Sequence, residues 1–260
     1  MSIVLQPNND GSSSFVSTDG RREALRIDGA KGSYVDPATY VQLFDHFLGD
    51  VIADQYSAAK GSDAQAIIAT VVAGEAGGVV RQTSGDTTVV AESACALTHA
   101  LNWKANQGGL YMKARVRLNT SVADVAVCVG LTDVLATTTL EEPFSISGTT
   151  ITSNATDAVC FVFDTAQTND AWHIQGVKNN TDTAINNTGV APVADTWVTL
   201  EIVVDTIGNA TFYINGVSYG TVANAVTASV ALTPVVSIMA RTTTSKVIDM
   251  DYLMVAARTA

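Results

Sequence analysis

The sequence predicts an all-β, antiparallel sandwich that follows an extended N-terminal arm with one short helix. From about residue 65 onward, short apolar or alternating segments succeed one another, separated by Gly, Asn, Asp and Pro. Several of these segments alternate with a period of two, and few segments after residue 60 show the 3.6-residue period of a helix. With 260 residues, the chain is long enough for one large β domain with a sizeable core.

Residues 1–60 differ in composition from the rest and are predicted to form the arm. The segment NNDGSSSFVSTDG is polar, rich in Gly and Ser and without periodicity, which is typical of a linker. A helix is predicted over about residues 36–48, because Asp36-Pro37 is a favourable helix start. Its apolar side chains recur at helical spacing: Tyr40, Leu43, Phe44 and Phe47. This aromatic face would either pack on the sandwich, predicted over residues 61–260, or dock on a partner.

The strand pattern is clearest in two places. In GLYMKARVRLN the apolar side chains alternate with polar ones, and one face is predicted to be buried: Leu110, Met112, Ala114, Val116 and Leu118. From Asp195 to Val217, two alternating segments flank Gly208-Asn209, which predicts a hairpin with positive φ angles in its turn. Asn215-Gly216 predicts a second tight turn, and a third strand then continues the meander.

The charge distribution argues against nucleic acid as a partner. The net charge is −11. Between Thr120 and Val235 there are eleven acidic residues and one basic residue, Lys178, whereas a protein that binds nucleic acid needs Lys and Arg to displace counterions from phosphate. The apolar runs are too short for a membrane span, and the N-terminal segment lacks the features of a secretion signal. We therefore expect neither nucleic acid nor membrane as a partner.

The three cysteines, Cys95, Cys128 and Cys160, all lie within apolar stretches. They form no CxxC or Cys/His pattern of a zinc site. The sequence therefore predicts buried free thiols that act as small hydrophobic side chains, together with no metal and no cofactor.

The second half of the chain resembles a known family. The segments DTWVTLEIVVDTIGNATFYINGVSYGTV, LTPVVSIMAR and KVIDMDYLMVAAR are similar to the closing strands of concanavalin A-like lectin/glucanase domains, including laminin-G-like ones. Upstream, GLYMKARVRL, VCVGLTD and DAVCFVFDT resemble sandwich domains of tailed-phage virion proteins. The resemblance implies a jelly-roll sandwich over roughly residues 85–258. It implies no single function, because one fold can carry many.

The chain departs from this family at the residues that carry its chemistry. It has no compact metal-binding cluster of the lectin type and no E-x-D-x-x-E or E-x-D-x-E glucanase segment. Glu141 and Glu142 are adjacent, so they would point to opposite faces of a strand. Asp249 and Asp251 share a face of the last strand and are the candidate carboxylate pair for glycoside hydrolysis, with a solvated sheet face as the alternative.

Other candidate sites are weaker. Trp172 and Trp197 are candidate sugar-stacking side chains, although a strand Trp in a sandwich more often belongs to the core. Oxygen atoms in the DTAQTND loop would suit calcium, although such turns are also common without a metal; the candidate ligands are Asp164, Asn169 and Asp170. The scattered His46, His99 and His173 match no local catalytic motif. No catalytic residue is therefore assigned.

The function expected from the sequence is non-enzymatic and structural. We expect a tailed-phage virion protein that decorates or cements the capsid exterior, is made in the host cytoplasm, and assembles as a homo-oligomer, with a trimer preferred. The arm would anchor it to the major capsid protein or to other virion proteins through Arg21, Arg22, Arg26, Tyr40, Phe44 and Phe47. The alternative is a carbohydrate-binding adhesin on a tail or head fibre, with a glycan as its ligand.

Overall fold

A computed structural model describes residues 3–7, 13–17, 40–75, 77–119, 121–135 and 142–258. The chain divides into two compact units, residues 1–40 and 41–260. In the first unit, β1 (Ile3–Pro7) pairs antiparallel with β2 (Ser13–Ser17). The second unit is the sandwich.

The strands of the sandwich form two large sheets, each of eight strands within the described residues. Sheet I has the order β18-β17-β16-β8-β20-β6-β5, with β3 paired to β20. Its strands are β3 (Tyr40–Asp45), β5 (Ile67–Val71), β6 (Val80–Thr83), β8 (Leu110–Asn119), β16 (Val198–Val204), β17 (Ala210–Ile214), β18 (Val217–Val222) and β20 (Val247–Arg258).

Sheet II has the order β14-β13-β12-β9-β19-β7-β4, with β15 paired to β13. Its strands are β4 (Ser57–Lys60), β7 (Cys95–Thr98), β9 (Val125–Thr132), β12 (Ala158–Asp164), β13 (His173–Lys178), β14 (Thr181–Asp182), β15 (Asn186–Asn187) and β19 (Thr233–Ala240). A separate two-stranded hairpin consists of β10 (Phe144–Ser147) and β11 (Thr150–Ser153). The helical elements are α1 (Val90–Ser93) and a 3-10 turn, Ala105–Gln107.

Alternation along the strands builds the core between the two sheets. On β8 the five predicted core side chains are at most 3% exposed, which confirms that prediction. They meet Val127, Val129 and Phe161 from sheet II in one apolar cluster. The sequence-predicted all-β jelly-roll sandwich is therefore the fold that forms.

The predicted helix over residues 36–48 is wrong in its described part, because Tyr40–Asp45 is strand β3. The spacing of Leu43, Phe44 and Phe47 fits a helix, but so short a helix is only marginally stable by itself, and the segment instead pairs with β20. Phe47, with a φ of 54°, turns into the core at 4% exposure, while Phe44 stays 46% exposed. Strand pairing thus separates side chains that a helix would have placed on one face.

The sandwich also begins earlier than the sequence suggests. Residues 41–60, which the sequence assigned to the arm, contain most of β3 and all of β4, and β4 pairs with β7 from Ser57 to Lys60. The structural division lies at residue 40. Within the described residues, no helix is long and apolar enough to cross a membrane.

The turn at Asn215-Gly216 has the expected geometry, with φ angles of 50° and 79°. In the longer loop between β16 and β17, Gly208 has a positive φ of 92°, and the Asp205 carboxylate accepts hydrogen bonds from the backbone N–H groups of Ile207 and Asn209. The sequence therefore located both turns, although only Gly208 of the Gly208-Asn209 pair has a positive φ among the described residues.

Replacing Gly216 with valine is expected to lower the free energy of unfolding by roughly 1–3 kcal/mol. A Cβ atom at this position would meet nothing within 4 Å, so the expected loss comes from backbone strain at positive φ rather than from a clash. Denaturant unfolding of both proteins measures it. A valine variant as stable as its parent would contradict the turn geometry.

Candidate functional site

The outer face of sheet I is rich in charged and aromatic side chains. Its most buried charge is the carboxylate of Asp249 on β20, whose side chain is 0% exposed. Arg81 donates two hydrogen bonds to it, at 2.7 and 2.9 Å, while Arg117 donates a third at 2.9 Å and Asn119 a fourth at 3.2 Å. Burial alone would raise the pKa of Asp249, but these hydrogen bonds more than offset it, so the pKa lies below its ordinary value.

Asp251 lies on the same face and pairs with Arg115. A bulge in β20 between Met250 and Tyr252 lets this part of the strand turn two consecutive side chains outward. Because both aspartates are held in ion pairs with arginines, the structure does not support their use as a hydrolytic acid and base.

Two guanidinium groups lie over the ring of Trp197. The Cζ atoms of Arg115 and Arg117 are 4.8 and 4.6 Å from its ring centroid, which is cation–π geometry. Next to them, Lys113 and Glu201 form an ion pair at 3.5 Å, and the Tyr111 hydroxyl donates to Glu201 at 2.8 Å. The positive charges of this face are therefore matched by carboxylates.

An aromatic cluster continues this face toward β3. Phe44 lies 4.7 Å from His46 and 6.1 Å from Tyr252, measured between ring centroids. Tyr252 is the register partner of Arg115, and Arg115 lies over Trp197. Phe44, Tyr252, Arg115 and Trp197 thus form a continuous strip across strands β3, β20 and β8 to the start of β16, named the aromatic–arginine stripe below.

The outer face of sheet II carries a second apolar cluster. On β9, Val127 and Val129 point into the core between the sheets, whereas Cys128 belongs to a second apolar cluster on the opposite side. Phe144 of the β10–β11 hairpin is 0% exposed in this second cluster, and Ile151 packs against it. The hairpin therefore lies over sheet II as a cover.

Several polar groups are buried beneath or beside this cover. The described residues provide no hydrogen-bond partner for either carboxyl oxygen of Glu142, for the Oε1 atom of Gln175 or for the Oγ atom of Ser237. Burial raises the pKa of Glu142 to about 8, and the neighbouring Asp164 adds to the rise, while Arg241 lowers it in part. Arg241 itself pairs with Asp164. Buried polar atoms without partners are rare enough to mark this region as unusual.

The three cysteines are buried and free, as predicted. Burial raises the pKa of Cys95 to about 12. Cys95 belongs to the core between the sheets, whereas Cys128 and Cys160 belong to the covered face of sheet II. The three thiols thus lie in two different parts of the sandwich.

The structure places the predicted site residues in different surroundings. Trp172 is 1% exposed and packs edge-on against Phe161, so it is a core side chain and not a sugar platform. Phe47 is likewise buried and cannot anchor a partner, whereas Phe44 is exposed. Arg21, Arg22 and Arg26 lie outside the described residues, as does the side chain of Tyr40.

The candidate calcium loop and the histidines gain no chemical role from the structure. Asp164 forms an ion pair with Arg241. Its carboxylate is therefore not surrounded only by oxygen atoms, as a calcium ligand would be. Among the described residues, no group of three or more His, Cys, Asp or Glu side chains could hold a metal ion. Burial lowers the pKa of His99 and His173, which favours neutral rings. Neither the burial of Glu142 nor the contact of Arg115 with Trp197 was predicted from the sequence.

Comparisons with known proteins agree on the fold. No protein-family model and no curated protein matches the chain. Among solved structures, the carbohydrate recognition domain of Emp47p has a TM-score of 0.56 at 9% identity, covering 87% of this chain and 100% of that one. The β-glucanase of Bacillus licheniformis has a TM-score of 0.53 at 11% identity, covering 84% and 98%.

These structures also correct the prediction that the chain is not an enzyme. The endo-β-1,4-glucuronan lyase of Trichoderma reesei matches with a TM-score of 0.53 at 10% identity, covering 78% of this chain and 95% of that one. Because both this lyase and the β-glucanase share the fold, the architecture does not favour a non-enzymatic protein. The residues and the matches together establish that the chain folds as a concanavalin A-like jelly-roll sandwich, an architecture that carries both carbohydrate-recognising and carbohydrate-cleaving proteins.

Proposed function

We propose that the sandwich binds glycans through the outer face of sheet I, as an adhesin domain of a tailed-phage virion. The observation that carries the proposal is the aromatic–arginine stripe. Its side chains offer what a sugar ring needs, since the Phe44 ring is exposed and the arginines that lie over Trp197 present several hydrogen-bond donors. The similarity of the fold to the carbohydrate recognition domain of Emp47p also supports glycans as the class of ligand.

The stripe is suited to uncharged or weakly charged sugars. Arg115 and Arg117 are paired with Asp251 and Asp249, so the face holds little free positive charge. The net charge of −11 would further repel a polyanion at low salt. Hydrogen bonding and stacking, rather than ion pairing, would therefore supply the affinity.

A glycan array, followed by calorimetry on the glycans that are retained, tests the proposal. Phe44→Ala and Trp197→Ala are each expected to weaken binding roughly two- to thirteenfold, because one aromatic contact contributes about 0.5–1.5 kcal/mol. Ile207→Ala is the matched control: Ile207 is 68% exposed but lies in the loop beyond the far end of β16. Absence of binding to every glycan, or equal losses in all three variants, would contradict the proposal.

The same retained glycans decide whether the sandwich also cleaves its ligand. New reducing ends after incubation would reveal hydrolysis, and new absorbance from an unsaturated sugar would reveal a lyase. Binding without either product would identify an adhesin, and binding with a product would identify an enzyme that uses the same face.

Capsid decoration is the second candidate, and the separate N-terminal unit favours it. Residues 1–40 form their own compact unit with the β1–β2 hairpin, which suits a segment that attaches the sandwich to neighbouring virion proteins. The sandwich would then lie on the virion exterior, as a homo-oligomer with a trimer preferred. Because β3 begins at Tyr40, a chain that starts at residue 40 retains every sandwich strand.

Such a shortened chain is expected to fold but to lose attachment to capsids that lack the protein. Circular dichroism reports its folding and co-sedimentation reports its attachment. Full attachment of the shortened chain would remove the anchoring role from residues 1–39. A chain that starts at residue 62 is the destabilised comparison, because it lacks β3 and β4.

A further inference from the structure

Among the described residues, few hydrogen bonds join the β10–β11 hairpin to the sandwich. Within the described residues it forms a two-stranded sheet of its own. At its tip the Gly148 N–H donates to the Ala166 carbonyl at 2.8 Å, and at its base the Cys128 thiol donates to the Phe144 carbonyl at 3.3 Å. The buried ring of Phe144 adds apolar contact. Elements that few hydrogen bonds hold in place open at a lower free energy than core strands do.

Glu142 lies directly before β10 and is 0% exposed. Within the described parts of the chain, neither of its carboxyl oxygens has a hydrogen-bond partner, and the Asn154 side chain donates to the backbone carbonyl of Glu142, at 2.8 Å. A buried carboxylate without partners is far more unfavourable than a buried neutral carboxyl group without partners. The protonation state of Glu142 therefore determines whether the hairpin base can stay buried.

The groups around Glu142 give its carboxylate little help. Asp164 at the end of β12 repels it, and Arg241 after β19 attracts it but is already bound to Asp164. The other titratable groups on this face are the Cys128 thiol on β9, the Cys160 thiol on β12 and the His173 ring on β13, and all three are buried. Burial favours the uncharged forms of the two thiols and of the ring. Lifting the hairpin into water is then the simplest way to accommodate the charge.

We propose that the β10–β11 hairpin is a movable cover of sheet II and that ionisation of Glu142 opens it. The open state exposes Cys128 and Cys160 together with the unpartnered polar atoms of Gln175 and Ser237. The cover acts on the face opposite to the aromatic–arginine stripe, so the inference does not depend on glycan binding there.

The direction of the pH effect follows from the two states of the carboxyl group. In the closed state the pKa of Glu142 is about 8, and in water it returns to its ordinary 4.5. The open state thus releases a proton between these values, so the opening equilibrium rises about tenfold per pH unit from roughly pH 4.5 to 8 and then levels off. The hairpin is closed in mild acid.

Thiol labelling followed by peptide mass spectrometry tests the cover. Below pH 8, the labelling rate of an exposed thiol rises about tenfold per pH unit, because the thiolate reacts. Because the opening equilibrium also rises about tenfold per pH unit, the labelling rates of Cys128 and Cys160 should rise about a hundredfold per pH unit between pH 5.5 and 7.5. A dithiodipyridine reagent reacts across this range.

Glu142→Gln provides the matched control, because glutamine has a similar shape and does not ionise. In this variant the labelling rates of Cys128 and Cys160 should rise only about tenfold per pH unit, as for an exposed thiol. Cys95, which lies between the sheets, reports global unfolding and should remain protected in both proteins. Equal slopes in the parent and the variant would overturn the proposal, and so would labelling of Cys95 at the same rate as the other two. If the variant does not fold, the proposal is still tested in the parent protein, by comparing the pH dependence of the labelling rates of Cys128 and Cys160 with that of Cys95.

Discussion

Replacing Asp249 with alanine is expected to lower the free energy of unfolding by about 3–5 kcal/mol. The substitution removes a carboxylate that is 0% exposed and leaves the Arg81 and Arg117 guanidinium groups without their shared acceptor. Arg117 would keep Glu75, at 2.9 Å, but Arg81 would lose its two hydrogen bonds. Removing one partner of a buried ion pair costs far more than the pair itself contributes.

Asp251→Ala is the matched control for this result. Asp251 is 15% exposed and its partner Arg115 is 39% exposed, so water replaces the lost contact, and the expected change is at most about 1 kcal/mol. Urea unfolding at pH 7 measures both variants. Equal effects of the two substitutions would show that the Asp249 network is not the buried centre of sheet I.

The effect of Asp249 should also depend on pH. Its pKa in the folded protein is lowered, so the carboxylate stabilises the fold above the ordinary carboxyl pKa and loses this contribution as the pH falls below it. The difference in stability between the parent and Asp249→Ala should therefore shrink below about pH 4.

Replacing Glu142 with glutamine is expected to stabilise the protein, and increasingly so as the pH rises. Because the pKa of Glu142 is about 8 in the fold and 4.5 in its ordinary state, folding requires this group to keep a proton that the unfolded chain releases. The resulting loss of stability grows by about 1.4 kcal/mol per pH unit and amounts to roughly 3–5 kcal/mol near pH 8. The gain in the variant is limited to the free energy at which the hairpin opens, since opening lets the carboxylate reach water.

Denaturant unfolding at pH 5, 6, 7 and 8 measures this trend. Glu92→Gln is the matched control, because Glu92 is exposed on α1 and its replacement should leave the pH dependence of the parent unchanged. A Glu142→Gln variant whose advantage over the parent is the same at pH 5 and pH 8 would show that this carboxyl group is already ionised in the fold.

The features that the sequence predicted well are those with local causes. The period of two along β8 follows from the geometry of a strand beside a core, and the five apolar side chains of that strand are all buried. The Asn215-Gly216 turn is likewise local, since its positive φ angles are tolerated by these two residue types. Such signals require no knowledge of the partner strand.

The features that the sequence missed depend on distant pairing. Residues 40–45 have a helical spacing of apolar side chains, and only their pairing with β20, some two hundred residues later, makes them a strand. Asp249 and Asp251 were placed correctly on one face, but their arginine partners come from strands 132 to 168 residues away. Glu142 gave no local signal, because its burial depends on how the hairpin lies on sheet II.

The central claim, that glycans bind on the outer face of sheet I, is tested most directly by an NMR titration with an oligosaccharide retained on the array. The resonances of the Trp197 indole N–H and of the backbone amides of Phe44 and Tyr252 are expected to shift in a saturable manner, while the amide resonance of Gln175 on sheet II is expected to stay in place. Shifts confined to sheet II, or shifts absent from the aromatic–arginine stripe at saturation, would contradict it.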